Sequence, residues 1–293
     1  MRSLLFVPGD SPKKLEKAAA SGADALILDL EDSVSPERKS SARGAIAAFL
    51  AEAEAAGGWP KLFVRINALA TGLADDDLDA VVAHRPAGIV LPKTEGARDV
   101  AKLAAALTER ERAAGLAEGS VEVIALATET ARGVLSLATL AEAGPRLTGV
   151  AWGGEDLSAD IGAETNRSAS GGYTEPYRLV RSLTLLAAAA AEAEAIDAVH
   201  TAYRDLDALA AECAEASRDG FVAKMAIHPA QVPVINEAFT PSRTSLDWAR
   251  AVMDAFAASP GAGVVGVGGE MIDRPHLRRA ERLLRRAPHG AQG

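Results

Sequence analysis

The 293-residue chain has one cysteine, Cys213, so no disulfide can form within it, and a reducing compartment is the expected setting. That cysteine lies in an Ala/Glu-rich stretch and reads as a small buried helix residue. Aromatic residues make up 4% of the chain, too few for base-stacking surfaces, and the formal net charge of -9 is the wrong sign for a phosphate backbone. Nucleic acid is therefore not an expected partner. Long apolar runs are also missing. Residues 4–7 are apolar but stop at Pro8-Gly9-Asp10, too short for a secretory leader, and the run over 187–195 is broken by Glu192 and Glu194. No membrane span is expected, and a cytoplasmic location is.

What is present is a globular composition, 48% hydrophobic and 24% charged, with much of the apolar share in alanine, which favours closely packed helices. Short apolar runs at 3–7, 25–30, 61–66, 88–91, 121–127, 148–152, 195–199 and 221–227 read as eight strands. Helical patterns at 12–21, 36–56, 73–83, 96–114, 133–143, 177–193 and 205–218 lie between them. Strand and helix alternating in this way predict an α/β protein with a parallel sheet, and eight strands suit closure into a (β/α)8 TIM barrel; an open doubly wound sheet is the alternative.

Beyond the eighth strand the pattern gives a helix at 245–258, a glycine-rich segment at 261–269 and a basic helix at 275–286. The glycine-rich segment lacks the Lys-Ser/Thr that a phosphate-cradling loop carries and reads as a mobile lid or arm. The expected organisation is a catalytic barrel over 1–241 and a C-terminal helical arm over 242–293.

In such a barrel the active site lies at the carboxyl ends of the strands, and nearly every run here ends in polar residues. Asp10, Asp29-Leu30-Glu31-Asp32, Arg65-Ile66-Asn67, Lys93, Thr128-Glu129-Thr130, Glu155-Asp156, Asp197 and His228 all fall there. Mg2+ takes oxygen ligands and is commonly held by one or two carboxylates plus substrate and water. Glu129 and Asp156, past adjacent strands, supply such a pair; helix N-terminal charge for Glu129 and N-capping for Asp156 are the plainer alternatives. No Cys/His cluster has zinc spacing. Arg65 suits bidentate binding of a substrate carboxylate, or a salt bridge to Asp29, Glu31 and Asp32, and both can hold at once. His228 before Pro229 reads as a strand cap donating a hydrogen bond, and as a binding residue rather than a catalyst.

Taken in order, Arg2-Ser3-Leu4-Leu5-Phe6-Val7-Pro8-Gly9, Asp29-Leu30-Glu31-Asp32-Ser33-Val34, Lys39 with Ala42-Arg43, Arg65-Ile66-Asn67, Pro92-Lys93, Glu129-Thr130-Ala131-Arg132-Gly133, Gly154-Glu155-Asp156-Leu157 and Ile227-His228-Pro229 resemble the citrate lyase β-subunit-like (HpcH/HpaI aldolase) family. The resemblance runs from residue 2 to Phe239-Thr240-Pro241 and resumes at Met271-Ile272-Asp273. It implies a Mg2+-dependent lyase that cleaves a 3-hydroxyacyl-CoA, such as citryl-, malyl- or citramalyl-CoA, into an acetyl-type CoA and a 2-oxo acid. A malyl-CoA-type thioesterase, or the β subunit of a citrate lyase complex acting on a carrier-bound substrate, are its alternatives.

By the same resemblance Glu129 and Asp156 bind the metal and Arg65 holds the oxo-acid carboxylate. Phe6, Lys17, Ile227 and His228 match positions contacting the CoA or acyl portion. Asp273 matches a catalytic carboxylate contributed by a neighbouring subunit, which implies a homotrimer or hexamer. Three positions depart from the pattern: Ser11 where arginine is frequent, and Ala198 and Ala223 where glycine is usual. The two alanines are expected to alter the acyl pocket.

Overall fold

The structure, a computed structural model, describes residues 1–287. Eight parallel strands close into a barrel in sequence order: β1 Ser3–Pro8, β2 Ala25–Asp29, β3 Lys61–Arg65, β4 Gly88–Leu91, β5 Glu122–Leu126, β6 Leu147–Ala151, β7 Glu194–Asp197 and β8 Ala223–Ala226. Closure is made by β8 against β1, with Ser3 opposite Lys224. The helices α1 Pro12–Ala18, α2 Lys39–Ala56, α3 Ala74–Val81, α4 Ala97–Ala113, α5 Ala131–Ser136, α6 Gly154–Asp160, α7 Glu175–Ala190 and α8 Leu206–Asp219 intervene, followed by α9 Val232–Phe239. The (β/α)8 barrel is therefore the fold. Contacts cluster into two units, the first Met1–Asn236 and the second beginning at Glu237.

The strands are continuous apolar runs because parallel strands are covered on both faces, and β2 is buried at every position. Within each strand the side chains alternate. Leu4, Ala25, Ile27, Phe63, Val90, Ile124, Leu126, Ala151, Ile196, Ala223 and Met225 fill the barrel interior. One pleat beyond Ile27 and Phe63, the same inward row brings Asp29 and Arg65 to the mouth. Ala223 opens β8 and packs in this interior core, not at the rim, which corrects the expectation that it shapes an acyl pocket.

Asp197 follows the inward Ile196, so it points the other way, into the layer between strands and helices. This corrects its reading as a mouth residue. There it accepts from Trp152 Nε1 at 2.7 Å, Arg181 Nε at 3.3 Å and Lys224 Nζ at 2.8 Å. Lys224 is fully buried and also reaches Glu212 on α8 at 3.4 Å. Glu212 further meets Arg167 and has His200 Nδ1 3.2 Å away.

Burial alone would raise the Glu212 carboxyl, but His200, Lys224 and Arg167 outweigh it and hold the group at about 2. Its depressed value means its stabilisation is complete above its ordinary 4.5 and is lost as pH falls from there through about 2. Glu212→Gln is expected to flatten the fall in melting temperature across that acid window, measured by thermal unfolding as a function of pH. An unchanged profile would show that this ion cluster does not set acid stability.

In the second unit α10 Arg243–Ala258 starts at Ser242, whose hydroxyl accepts from Ser245 N. The glycine-rich segment runs into an antiparallel hairpin, β9 Val264–Val267 with β10 Glu270–Asp273, where the sequence pattern gave no strands. Gly268 and Gly269, at φ of 59° and 86°, make the tight two-residue turn that only positive-φ residues fit well. Val265 pairs with Ile272 across the hairpin, and both pack with Ala249, Val252 and Ala280 of α10 and α11 Arg274–Arg285.

Candidate active site

Five carboxylates, Asp29, Glu31, Asp32, Glu129 and Asp156, gather at the mouth around two cations, Arg65 and Lys93. Asp29, at the end of β2, is 1% exposed and takes the Arg65 fork squarely: Nε to Oδ1 at 2.7 Å and Nη2 to Oδ2 at 2.6 Å. Burial alone would raise its pKa, yet Arg65 holds the carboxyl below the usual range. The remaining terminal nitrogen of Arg65 lies 2.9 Å from Glu31 Oε2, and the guanidinium sits 4.8 Å over the Phe6 ring. The salt-bridge reading of Arg65 is thus realised. A second N–H remains on each terminal nitrogen.

The turn after β2 is clamped by Lys39 of α2, whose ammonium donates to the Leu30 and Glu31 carbonyls, both at 2.7 Å. Asn67, past β3, donates from backbone and side chain to Asp77, which also accepts from Arg43. The motif residues Lys39, Arg43 and Asn67 therefore hold loops.

Glu129 follows β5 and is 4% exposed. Its burial, with the charges of Asp156 and Glu31, pushes its carboxyl up to about 8 despite Lys93. Room for it comes from Gly153: a methyl there would stand 2.9 Å from Glu129 Cγ. The Gly153 amide is held by Thr128 Oγ1 at 3.0 Å, which joins the β5 and β6 loops. Asp156 sits in the first turn of α6, half-buried, 3.4 Å from Lys93 Nζ.

Thus Glu129, Asp156, Arg65 and Phe6 come together. Lys17, on the exposed face of α1, and His228, past β8, are joined to the carboxylates by no hydrogen bond or ion pair among the described residues. His228 caps the turn at Pro229 by accepting from Ala230 N through Nδ1, which leaves donation to Nε2. Its ring stacks on Tyr203 at 4.8 Å, and the neighbouring Ile227 is 42% exposed. Asp273 lies in the second unit as N-cap of α11, 2.5 Å from His276 Nδ1, which keeps its carboxyl below the ordinary value.

For three contributors the sequence did not give the role. Gly153 supplies space, Thr128 joins two loops, and Lys93, at φ of 48°, directs its amide to Glu129 Oε2 at 2.6 Å. The Gly153-Gly154 pair was a visible signal for the first. A left-handed lysine leaves none.

A family model described as HpcH/HpaI aldolase/citrate lyase matches residues 2–229. A citrate lyase subunit beta-like protein of Mycobacterium tuberculosis is 40% identical over 97% of this chain and 94% of its own. The mitochondrial citramalyl-CoA lyase of Mus musculus is 33% identical, over 97% and 85%. Protein CitE of M. tuberculosis, crystallised with magnesium, acetoacetate and coenzyme A, superposes with a TM-score of 0.77 at 39% identity, covering 98% of this chain and 97% of that one. With the barrel, its mouth and these likenesses in agreement, the chain belongs to the HpcH/HpaI aldolase/citrate lyase family.

Proposed function

We propose that this chain is a Mg2+-dependent carbon–carbon lyase that splits a 3-hydroxyacyl-CoA of the citryl-, malyl- or citramalyl-CoA type into an acetyl-CoA-type thioester and a 2-oxo acid. The observation that carries the reading is the gathering of five carboxylates around only two cations at the mouth, with Glu129, 4% exposed, and Asp156 both held by Lys93. A divalent cation neutralises such a charge excess, and two carboxylates with water and substrate suffice for Mg2+. The donor set is all oxygen, which fits a hard cation. Likeness supports it too, through relatives named as a citramalyl-CoA lyase and a structure holding magnesium and coenzyme A.

In this reading Glu129 and Asp156 hold the cation. Bound Mg2+ supplies Lewis-acid polarisation of the reacting oxygen and a template for the oxo-acid half. Arg65, locked by Asp29 and Glu31, offers its remaining N–H groups to the substrate carboxylate without having to reorganise. Its position over Phe6 fixes the plane of the guanidinium. Ile227 and His228 form the rim that meets the acyl and pantetheine portion, and Lys17, with Lys13 and Lys14 on α1, meets the CoA phosphates. Asp273, on an arm from about residue 242, exchanges a proton with the carbon of the thioester fragment, reaching the mouth of a neighbouring subunit in a homotrimer or hexamer.

The test is a product assay with Mg2+ over a panel of hydroxyacyl-CoA thioesters. Acetyl-type CoA plus a 2-oxo acid is expected. Free CoA plus the intact hydroxy acid would make the chain a thioesterase, and turnover only with carrier-protein substrate would make it a citrate lyase subunit.

Gly153→Ala supplies a milder check. The backbone at 153 is extended, so alanine is tolerated there, but its methyl must displace Glu129. Mg2+ affinity is expected to fall by about tenfold with little change in melting temperature, as for other supporting positions around metal ligands. Calorimetric titration decides; undiminished affinity removes Glu129 from the metal.

A further inference from the structure

Lys93 engages four of the five carboxylates of the mouth, three through its ammonium and one through its backbone amide. Its ammonium stands 2.6 Å from Glu31 Oε1, 3.2 Å from Asp32 Oδ2 and 3.4 Å from Asp156 Oδ1. Its backbone amide donates to Glu129 Oε2 at 2.6 Å. One residue thereby engages both carboxylates assigned above to the metal, one through the main chain and one through the side chain. The backbone is left-handed at this non-glycine position, a conformation that costs free energy and persists where surrounding structure requires it.

The two contacts do different things. The hydrogen bond that the Lys93 amide donates to Oε2 fixes the direction of Glu129 and leaves Oε1 for another ligand. The ammonium is a monovalent counter-ion at Asp156, and its contact there is the longest of its three. A divalent cation arriving between Glu129 and Asp156 is repelled by that ammonium and competes with it for Asp156. The ammonium retains two closer carboxylates, Glu31 and Asp32, to which it can fall back with no charge left unpaired.

We propose that Lys93 is a positioning residue that sets the divalent-cation affinity of this site, its ammonium competing with the cation for Asp156. The arrangement keeps the metal-free carboxylates from repelling one another apart. The proposal rests on Glu129 and Asp156 being the metal ligands.

The experiment is calorimetric titration of the full-length, chelator-treated protein with Mg2+ at fixed pH and low salt, where exposed electrostatics are least screened. Lys93→Met is expected to bind about tenfold tighter than wild type, equivalent to about 1.4 kcal/mol. Lys93→Arg, which keeps the positive charge and the same backbone demand, is expected to stay within about threefold of wild type. Affinity that is unchanged or weaker in Lys93→Met overturns the proposal, as does tightening by Lys93→Arg equal to that by Lys93→Met, since packing would then be the cause. Should Lys93→Met fail to fold, judged by its thermal melt, Lys93→Gln carries the same expectation. Failure of the metal reading itself looks different: Asp156→Asn and Glu129→Gln would then bind Mg2+ as wild type does.

Discussion

Glu129→Gln is expected to lower Mg2+-dependent cleavage by about a thousandfold or more, since the Lewis-acid contribution of a bound ion is several kcal/mol and each 1.4 kcal/mol or so is a factor of ten in rate. The substitution keeps the size of the side chain, so the pocket made by Gly153 still accommodates it. Stability moves the other way. Because the Glu129 carboxyl is raised from 4.5 to about 8, the metal-free wild type has no penalty below pH 4.5 and accumulates one as pH rises through about 8. The glutamine variant has no such charge to bury. In chelator-treated samples its melting temperature is therefore expected to exceed that of wild type near pH 8 and to match it near pH 4.5. A variant that is more stable in alkali and inactive with Mg2+ separates the metal role from a folding role. Asp156→Asn is expected to lose activity similarly. Full activity in either variant refutes the site.

The barrel was legible because its signal is repeated: eight apolar runs separated by helical patterns leave few other architectures, and parallel strands buried on both faces read as such. Glu129 and Asp156 could be picked out as a candidate metal pair because each lies within a few residues of the end of an apolar run. Which way a residue at a strand end points is a matter of parity, and a shift of one position moved Asp197 from mouth to helix layer. Lys224 and Glu212 are a single lysine in a short strand and a glutamate in an alanine-rich helix. In sequence they look like surface residues, and only the folded register brings them together with Asp197. The hairpin at 264–273 was not legible because the glycine frequency over 261–269 masked a short alternation. Val265 and Ile272 face inward, and the two glycines serve the turn. Lys93 could be placed at a strand end, but its left-handed backbone depends on loop closure around Glu129, which no local residue pattern encodes.

Asp273→Asn tests the remaining claim, that the barrel is completed by an arm from another subunit. Asp273 caps α11, and asparagine is an equally good N-cap, so the helix is expected to persist and the melting temperature to change little. What asparagine lacks is a group able to exchange a proton with carbon. Turnover is expected to fall by about a hundredfold or more, the range for loss of a general acid or base, while Mg2+ and acyl-CoA affinities stay near wild type. Mixing decides where the carboxylate acts. Each Asp273→Asn chain keeps an intact metal site, and each Glu129→Gln chain keeps an intact Asp273. If the arm serves the next subunit of a ring, subunits exchanged at random from equal amounts of the two inactive variants place a good arm on a good barrel at about one site in four, and about a quarter of wild-type activity returns. If Asp273 serves its own barrel, every chain carries one defect and nothing returns. Activity recovered on exchange, and absent when the variants are mixed without exchange, therefore assigns the proton transfer to a neighbouring chain; no recovery after exchange assigns it to the same chain and removes the need for an oligomer in the chemistry.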